Sequence, residues 1–202
     1  GPTGVEMAGA IAELSKNVLR KEFATIDTKT AQIILLEAGP NLLPTASLSL
    51  SIYAKESLEK LGVEIKCNTA VQNISESLVA TNTETIEAET IIWCAGVKAS
   101  PLGNLLNTET DKIGRVFVKD DLSIPTYPNI FVIGDASHVK DKNGSTLPGL
   151  ASVAKQEGSF VARVIKKYIL NDKTQNKFNY KNRGYLATIG RSKAIVDFGW
   201  FA

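Results

Sequence analysis

The chain has 202 residues, 44% of them hydrophobic, and is therefore long enough to bury the core of one large or two modest domains. Its formal net charge of +2 gives no electrostatic reason to expect a nucleic-acid partner. The two cysteines, Cys67 and Cys94, form no Cys-x-x-Cys pair and the sequence has a single histidine, so we predict no metal site. Unpaired cysteines favour a reducing compartment.

The first six residues, Gly-Pro-Thr-Gly-Val-Glu, have the pattern of a nucleotide-binding turn that leads into a helix. Gly1 and Gly4 fit the second and third glycines of the motif G-x-G-x-x-G, whose first glycine and preceding strand would lie upstream of residue 1. We therefore expect this sequence to be part of a longer polypeptide. Such a turn presents a helix N-terminus to a pyrophosphate, although a helix that simply begins after a turn fits the short pattern as well.

A strand predicted at residues 31–37 follows a helix predicted at residues 5–20, whose small apolar residues suit close packing on a sheet. The strand ends at Glu37. In a βαβ unit, a carboxylate at this strand end can accept hydrogen bonds from a ribose diol. No arginine lies beside Glu37, so the sequence favours NADH over NADPH as the ligand.

The rest of the first half predicts a parallel βαβ core that carries an antiparallel meander. An amphipathic helix is predicted at residues 48–61, followed by Gly62 at a position that favours a helix C-terminus. We expect Cys94 to pack as a small residue rather than to act as a nucleophile. The strands predicted here are residues 63–66, 70–74, 78–81, 85–88 and 90–96.

A second region begins near residue 100. Its main feature is a buried strand predicted at residues 129–135, which ends in Gly134 and Asp135 and so holds a carboxylate where the backbone can approach a ligand. A helix predicted at residues 150–170 would place free backbone N–H groups beside that carboxylate. This arrangement suits a cofactor with hydroxyl groups and electron-rich ring oxygens, whereas a buried strand ending in an Asp turn is the plainer reading. We further predict a strand at 115–118, a solvated His138, and a hairpin formed by 186–189 and 193–198.

Five segments resemble, in their order and spacing, those of type II NADH dehydrogenases. These are FAD-dependent NADH:quinone oxidoreductases of the pyridine nucleotide-disulfide oxidoreductase superfamily. The five segments are residues 1–6, 36–40, 93–97, 132–135 and 148–156. Residues 186–191 and 196–199 are also similar to the family's segment before its membrane-anchoring tail. Any one motif is moderately specific, but five in order along nearly the whole chain make a strong resemblance.

The resemblance implies an α/β fold in which a Rossmann-like NADH-binding domain precedes the C-terminal part of an FAD-binding domain, with the N-terminal FAD half outside this chain. On this reading residues 1–98 bind NADH and residues 99–185 belong to the FAD-binding domain. Residues 186–202 would begin a C-terminal domain that leads to a membrane-anchoring region. Trp200 and Phe201 would mark the approach to that region, or else be core residues at the end of a strand.

The resemblance also implies roles for individual residues. Gly1 and Gly4 would contact the NADH pyrophosphate and Glu37 the adenosine ribose, while Glu6 would be catalytic at the nicotinamide end. The other implied contacts are Ala95 and Gly96 with NADH, Gly134, Asp135, Leu150 and Ala151 with FAD, and Ala151, Ser152 and the second catalytic residue, Gln156, with quinone.

One position departs from the family pattern. Many members carry Ala-Gln-x-Ala-x-Gln where this chain has Ala-Ser-Val-Ala-Lys-Gln at residues 151–156, so Ser152 replaces the first glutamine and the quinone contacts are less defined. Lys155, in the same turn, is either a cation beside the flavin or a solvated helix residue, and the solvated reading is favoured.

The implied activity is hydride transfer from NADH to flavin, followed by two-electron reduction of a quinone in a respiratory chain. The implied cofactors are FAD and NADH. The implied partners are the quinone, a membrane surface reached through the C-terminal segment outside this chain, and a second copy of the chain in a homodimer. The full-length protein would be cytoplasmic and peripheral on the inner face of the membrane.

Three alternatives stay open. A ferredoxin or disulfide reductase of the same superfamily shares much of this pattern, although residues 148–156 argue against a disulfide reductase. A protein that binds NAD(H) as a conformational switch, without turnover, is an alternative from a different class. The third alternative is that this stretch is inert without the rest of the FAD-binding domain.

Overall fold

The computed structural model describes residues 1–19, 22–23, 27, 30–172, 176–191 and 193–197. These residues form two compact units. The first unit comprises the described residues of 1–95 and 184–197, and the second comprises those of 96–183. The predictions made for Trp200 and Phe201, and for the end of the hairpin at residue 198, lie outside the described residues.

In chain order the elements are α1 Pro2–Glu13, β1 Ile33–Leu36, α2 Leu48–Lys60, β2 Val63–Lys66, β3 Val71–Ile74, β4 Leu78–Thr81, β5 Thr85–Glu87, α3 Leu102–Leu105, β6 Val116–Phe117, β7 Ser137–His138, α4 Ala151–Ile169, β8 Tyr185–Ile189 and β9 Lys193–Asp197. A π-helical turn at Leu14–Leu19 continues α1, and a 3-10 turn at Gly134–Ala136 precedes β7. Among the described residues, no helix is both long and apolar enough to cross a membrane.

The parallel pair of β1 and β2 and the helix α1 form the centre of the first unit. Helix α1 begins at Pro2, three residues earlier than predicted, because the fixed φ of proline suits the first helical position. One buried cluster joins these elements to α2 and to the β8–β9 hairpin. It consists of Val5, Ala8, Ala12, Leu42, Leu43, Ala54, Leu58, Val63, Ile189 and Ile195.

Several sequence predictions are confirmed in this unit. Helix α2 is capped by Ser47, whose hydroxyl accepts a hydrogen bond from the Leu50 N–H at 3.4 Å, and it is followed by Gly62 with a φ of +83°. The strands β3, β4 and β5 form the predicted antiparallel meander. Strands β8 and β9 form the predicted antiparallel hairpin.

Two predicted strands are wrong. Residues 90–96 form no strand, because a strand ladder needs a neighbour and none of the described strands pairs with this apolar segment. In residues 129–135, which we predicted to be a buried strand, Phe131 makes only an isolated bridge to Ser123. Ile133 is 38% exposed, so this segment is also less buried than its composition suggests.

Candidate functional site

The end of β1 and the start of α1 bring three predicted ligand contacts together in the first unit. Glu37 follows β1, and its Oε2 lies 3.1 Å from the Gly1 nitrogen. Its Oε1 accepts a hydrogen bond from the Gly39 N–H at 3.0 Å. Partial burial alone would raise the pKa of Glu37, whereas hydrogen bonds from the backbone N–H groups of Gly39 and Ala38 lower it. Glu37 is therefore an ionised, oriented hydrogen-bond acceptor.

Gly4 is buried in the first turn of α1, where the helix packs closely on its surroundings. A Cβ built on Gly4 would lie 3.4 Å from Leu35 Cδ1 and 3.7 Å from Cys94 Cβ. Cys94 thus packs against α1, as expected of a small residue, and Ala95 is the residue that follows it. Gly1, Gly4 and Glu37 lie at one end of the β1–α1 layer, which is the geometry that a pyrophosphate and a ribose require.

Glu6 contacts strand β8, and no local motif in the sequence predicts this contact. Its Oε1 accepts hydrogen bonds from the Thr188 N–H at 3.0 Å and from the Thr188 hydroxyl at 3.2 Å. Two turns further along α1, Glu13 Oε2 accepts a hydrogen bond from the Arg191 N–H at 2.8 Å. The two carboxylates hold the hairpin, and the catalytic role of Glu6 stays a prediction.

The second unit contains a small cleft, about 50 Å³ in volume, between the 3-10 turn and the start of α4. Gly134 has a φ of +67°, which favours glycine. A Cβ built on Gly149 would lie only 3.0 Å from Asp135 Oδ1, so the absence of a side chain there leaves room for that carboxylate. The cleft is lined by Val97, Ile113, Arg115, Gly134, Asp135, Ser137, Leu147, Pro148, Gly149, Val153 and Glu157.

Asp135 is exposed at this cleft, and no hydrogen bond or ion pair from the described residues engages its carboxylate. Leu150 is the N-cap of α4, and in the part of the chain that the structure describes no side chain caps this helix start. The Leu150 N–H donates to the Pro148 carbonyl and the Val153 N–H to the Leu150 carbonyl, so among the described residues the N–H groups of Ala151 and Ser152 are left as donors at this helix start. A free carboxylate beside free N–H groups fits a ligand that carries both hydroxyl groups and acceptor oxygens.

Glu157 is a site residue that sequence reasoning missed. Its side chain is 1% exposed, and its Oε2 accepts a hydrogen bond from the Gly134 N–H at 2.5 Å. Burial, together with the nearby negative charge of Asp135, raises the pKa of Glu157. Its position on α4, four residues from both Val153 and Val161, places it on the buried face of the helix, and this spacing is the signal that could have found it, although charged side chains are seldom fully buried.

The predicted quinone contacts on α4 face a different segment of the second unit. The Gln156 side chain donates a hydrogen bond to the Lys181 carbonyl and accepts one from the Lys181 N–H, both at 3.0 Å. A neighbouring strand would make the same pair of hydrogen bonds with the Lys181 backbone. The Ser152 hydroxyl lies 3.1 Å from the Tyr180 hydroxyl. Neither side chain lines the cleft, and Lys155 is exposed, which favours its solvated reading.

The prediction that His138 is solvated is wrong. Its side chain is 12% exposed, its Nδ1 lies 3.0 Å from Asp111 Oδ2, and its ring centroid lies 4.5 Å from that of Phe117. Arg115 Nε donates to the same Asp111 oxygen at 2.7 Å. These groups form a structural ion-pair cluster. Within the described ranges, no group of three or more His, Cys, Asp or Glu side chains is arranged to hold a metal ion.

Comparison with known proteins gives a consistent match. A model of the pyridine nucleotide-disulphide oxidoreductase family matches residues 1–158. The type II NADH:quinone oxidoreductase Ndh of Mycobacterium tuberculosis is 40% identical over 210 residues, which cover 98% of this chain and 44% of that protein. The type II NADH:quinone oxidoreductase of Staphylococcus aureus is 35% identical over 200 residues, which cover 96% of this chain and 49% of that protein. The chain thus spans about half the length of the curated relatives it matches.

Solved structures show the same fold. NDH2 from Plasmodium falciparum, in complex with NADH, superposes with a TM-score of 0.85 at 19% identity, covering 100% of this chain and 56% of that one. The water-forming NADH oxidase from Lactobacillus brevis, bound to NADH, superposes with a TM-score of 0.64 at 18% identity, covering 80% of this chain and 36% of that one. At these identities the likeness establishes the fold alone.

Proposed function

The chain belongs to the pyridine nucleotide-disulphide oxidoreductase family, and from that membership we propose that it is part of a type II NADH:quinone oxidoreductase. The observation that carries the proposal is its 40% identity, across 98% of the chain, to a type II NADH:quinone oxidoreductase. Residues 1–98 would form the NADH-binding domain, residues 99–185 part of the FAD-binding domain, and residues 186–202 the start of a C-terminal domain.

In this proposal the first unit binds NADH. The helix start at Gly1 and Gly4 donates backbone N–H groups to the pyrophosphate, and the ionised Glu37 carboxylate accepts hydrogen bonds from the adenosine ribose hydroxyls. A 2′-phosphate would meet the negative charge of Glu37, which disfavours NADPH. Glu6 would lie at the nicotinamide end, with Ala95 and Gly96 bordering the dinucleotide.

The second unit would hold FAD at its cleft. The free Asp135 carboxylate would accept hydrogen bonds from the ribityl hydroxyls, and the helix start at Leu150 and Ala151 would face the ring. When bound, FAD supplies a ring that accepts a hydride and passes on two electrons. The side chains of this chain bind and orient the reactants, and no protein nucleophile is required.

Quinone would be the electron acceptor, in a respiratory chain, because the curated relatives are named for that substrate. Ala151, Ser152 and Gln156 would lie nearest to it. The full-length protein would be cytoplasmic and would bind the inner face of the membrane through a C-terminal segment. It would form a homodimer. The proposal is supported by the resemblance and by the relatives, rather than by a contact in this chain.

An anaerobic visible spectrum of the full natural polypeptide tests this function. We expect a flavin absorption band that NADH bleaches and that a soluble quinone then restores. A band that quinone fails to restore would favour another reductase of the family. Tight NADH binding without a flavin band would contradict the proposal and favour the conformational-switch alternative.

A further inference from the structure

Glu157 is a buried carboxyl group inside the cleft that contains the proposed FAD contact Asp135. Burial of a carboxyl group is unfavourable unless hydrogen bonds satisfy it. Here Oε2 accepts a hydrogen bond from the Gly134 N–H and lies 3.3 Å from Ser137 Oγ, while Oε1 lies 3.5 Å from the same Oγ. Glu157 therefore contacts both ends of the turn that carries Asp135.

The available protons indicate which form of Glu157 fits this network. Ser137 has one hydroxyl proton, and its Oγ lies nearest to the Gly134 carbonyl, at 2.9 Å. When Ser137 donates there, its oxygen is left to accept a hydrogen bond from Glu157. Because Oε2 accepts from Gly134, a protonated Glu157 carboxyl group can donate to Ser137 Oγ from Oε1, which lies 3.5 Å away. Both ends of the turn are then satisfied.

The charged groups around Glu157 are consistent with this form. Burial and the negative charge of Asp135, on the 3-10 turn, raise the pKa of Glu157. Arg115, which precedes β6, lines the same cleft, but its Nε is engaged by Asp111 at 2.7 Å. His138, next to Ser137 on β7, is directed to the same Asp111 carboxylate.

We propose that Glu157 is a positioning residue, whose protonated carboxyl group fixes the turn at residues 134–137 and thereby directs the Asp135 carboxylate to the cofactor. The identity of the cofactor as FAD rests on the proposed function. The claim that Glu157 fixes the turn does not rest on the proposed function, because it follows from contacts within this chain. Gly134 adopts its φ of +67° without strain because it is a glycine.

The test compares two variants in the full natural polypeptide, stripped of flavin and titrated with FAD. Glu157→Gln keeps an acceptor for Gly134 and a donor for Ser137, so we expect its FAD dissociation constant to stay within about threefold of wild type. Glu157→Leu leaves the partly buried Gly134 N–H without its partner, and we expect FAD binding to be at least about tenfold weaker. The exchange rate of the Gly134 amide hydrogen, measured without flavin, should rise in Glu157→Leu and stay low in Glu157→Gln.

A pH series separates positioning from simple loss of packing. As the pH rises through the elevated pKa of Glu157, wild type loses its donor to Ser137 and gains a second negative charge beside Asp135. We therefore expect the FAD affinity of wild type to fall as the pH rises through that pKa, and the affinity of Glu157→Gln to change less. If Glu157→Leu does not fold, this comparison decides alone.

Several outcomes would overturn the proposal. One is an unchanged FAD affinity together with an unchanged Gly134 exchange rate in Glu157→Leu. Another is a Glu157→Gln variant that is as weak as Glu157→Leu, or one that shares the pH dependence of wild type. A wild-type protein that binds no FAD would instead contradict the proposed function, while the Gly134 exchange rates would still test the fixing of the turn.

Discussion

At the scale of single residues, Glu37 is the side chain through which the first unit would recognise NADH. We expect Glu37→Ala to raise the KM for NADH about tenfold or more, because hydrogen bonds to a charged group contribute about 1.5–3 kcal/mol. Steady-state kinetics of the full natural polypeptide at saturating quinone would measure it. Glu59→Ala removes a carboxylate that is 49% exposed on α2 and should leave the KM unchanged. Equal KM values in the two variants would contradict the assignment.

Asp111 is expected to stabilise the second unit in a pH-dependent way. Burial alone would raise its pKa, but hydrogen bonds with His138 and Arg115 hold that pKa well below its usual range. A carboxyl group of this kind stabilises the fold above its unfolded-state pKa of about 3.9 and loses that contribution as the pH falls. We expect Asp111→Asn to lower the free energy of unfolding by about 1–3 kcal/mol at pH 7, and by less at pH 3. Urea unfolding at both pH values would measure it.

An exposed carboxylate in the same unit provides the control for Asp111. Asp120 pairs with Lys177 at 3.1 Å, and their side chains are 69% and 76% exposed. Exposed pairs contribute little, so Asp120→Asn should cost less than about 0.5 kcal/mol at pH 7. Losses of the same size in both variants would mean that the buried cluster has no special stabilising effect.

Whether the role of a residue could be predicted from the sequence depends on how far away its partners lie in the chain. Gly1, Gly4 and Glu37 could be singled out because a glycine turn and a strand-end acid have local signatures. His138 and Glu157 could not, since their partners, Asp111 and Gly134, are more than 20 residues away. Helical spacing places Glu157 on the buried face of α4, but no local pattern shows which group will hydrogen-bond to it, and only the fold decides that.

At the scale of elements, α1 meets the β8–β9 hairpin at Gly9. A Cβ built on Gly9 would lie 2.9 Å from the Gly190 backbone nitrogen, a contact too close to keep. We expect Gly9→Ala to destabilise the protein by about 1–3 kcal/mol through displacement of the hairpin, although alanine by itself favours a helix by about 1 kcal/mol. Thermal unfolding and hydrogen exchange in β8 would measure the effect.

Gly158 is the matched glycine for this experiment, because it also lies inside a helix. Its built Cβ would have Ile133 Cδ1 as nearest neighbour, at an ordinary contact distance of 3.6 Å. Gly158→Ala should therefore stabilise α4 by up to about 1 kcal/mol. Destabilisation of both variants to the same extent would show that the tight contact with Gly190 is not the cause.

The elements that sequence reasoning found are those whose stability is local or whose partners are near in the chain. The predictions agree closely with helices α2 and α4, which have periodic apolar faces. They agree equally with the meander β3–β5, whose turns are short. Residues 90–96 and 129–135 have the apolar composition of strands but lack the predicted ladders. Composition measures the preference for an extended chain, whereas a strand also needs a hydrogen-bonding neighbour.

At the scale of the whole molecule, residues 184–197 return to the unit formed by the start of the chain. Ile195, which is 1% exposed, belongs to the same buried cluster as α1 and α2. We expect Ile195→Ala to cost about 2–5 kcal/mol and to speed hydrogen exchange in α1 and α2 as well as in the hairpin. Hydrogen exchange followed by mass spectrometry would locate the effect.

Leu186 lies on the same hairpin but is 61% exposed, so Leu186→Ala is the control and should change exchange in α1 very little. If Ile195→Ala loosened only β8 and β9, the hairpin would be an appendage rather than part of the unit. That result would support the proposal that residues 186–202 begin a separate C-terminal domain.

The sequence by itself determined the α/β class, most of the helices and turns, and the resemblance that assigns the family, because these depend on local periodicity and on short motifs. The tertiary structure decided that the hairpin joins the core of the first unit, that Glu6 and Glu13 hold it, and that Glu157 and His138 are buried with partners. Such contacts join residues that are distant in the chain. Burial and hydrogen-bond partners are properties of the folded arrangement, and a local pattern does not contain them.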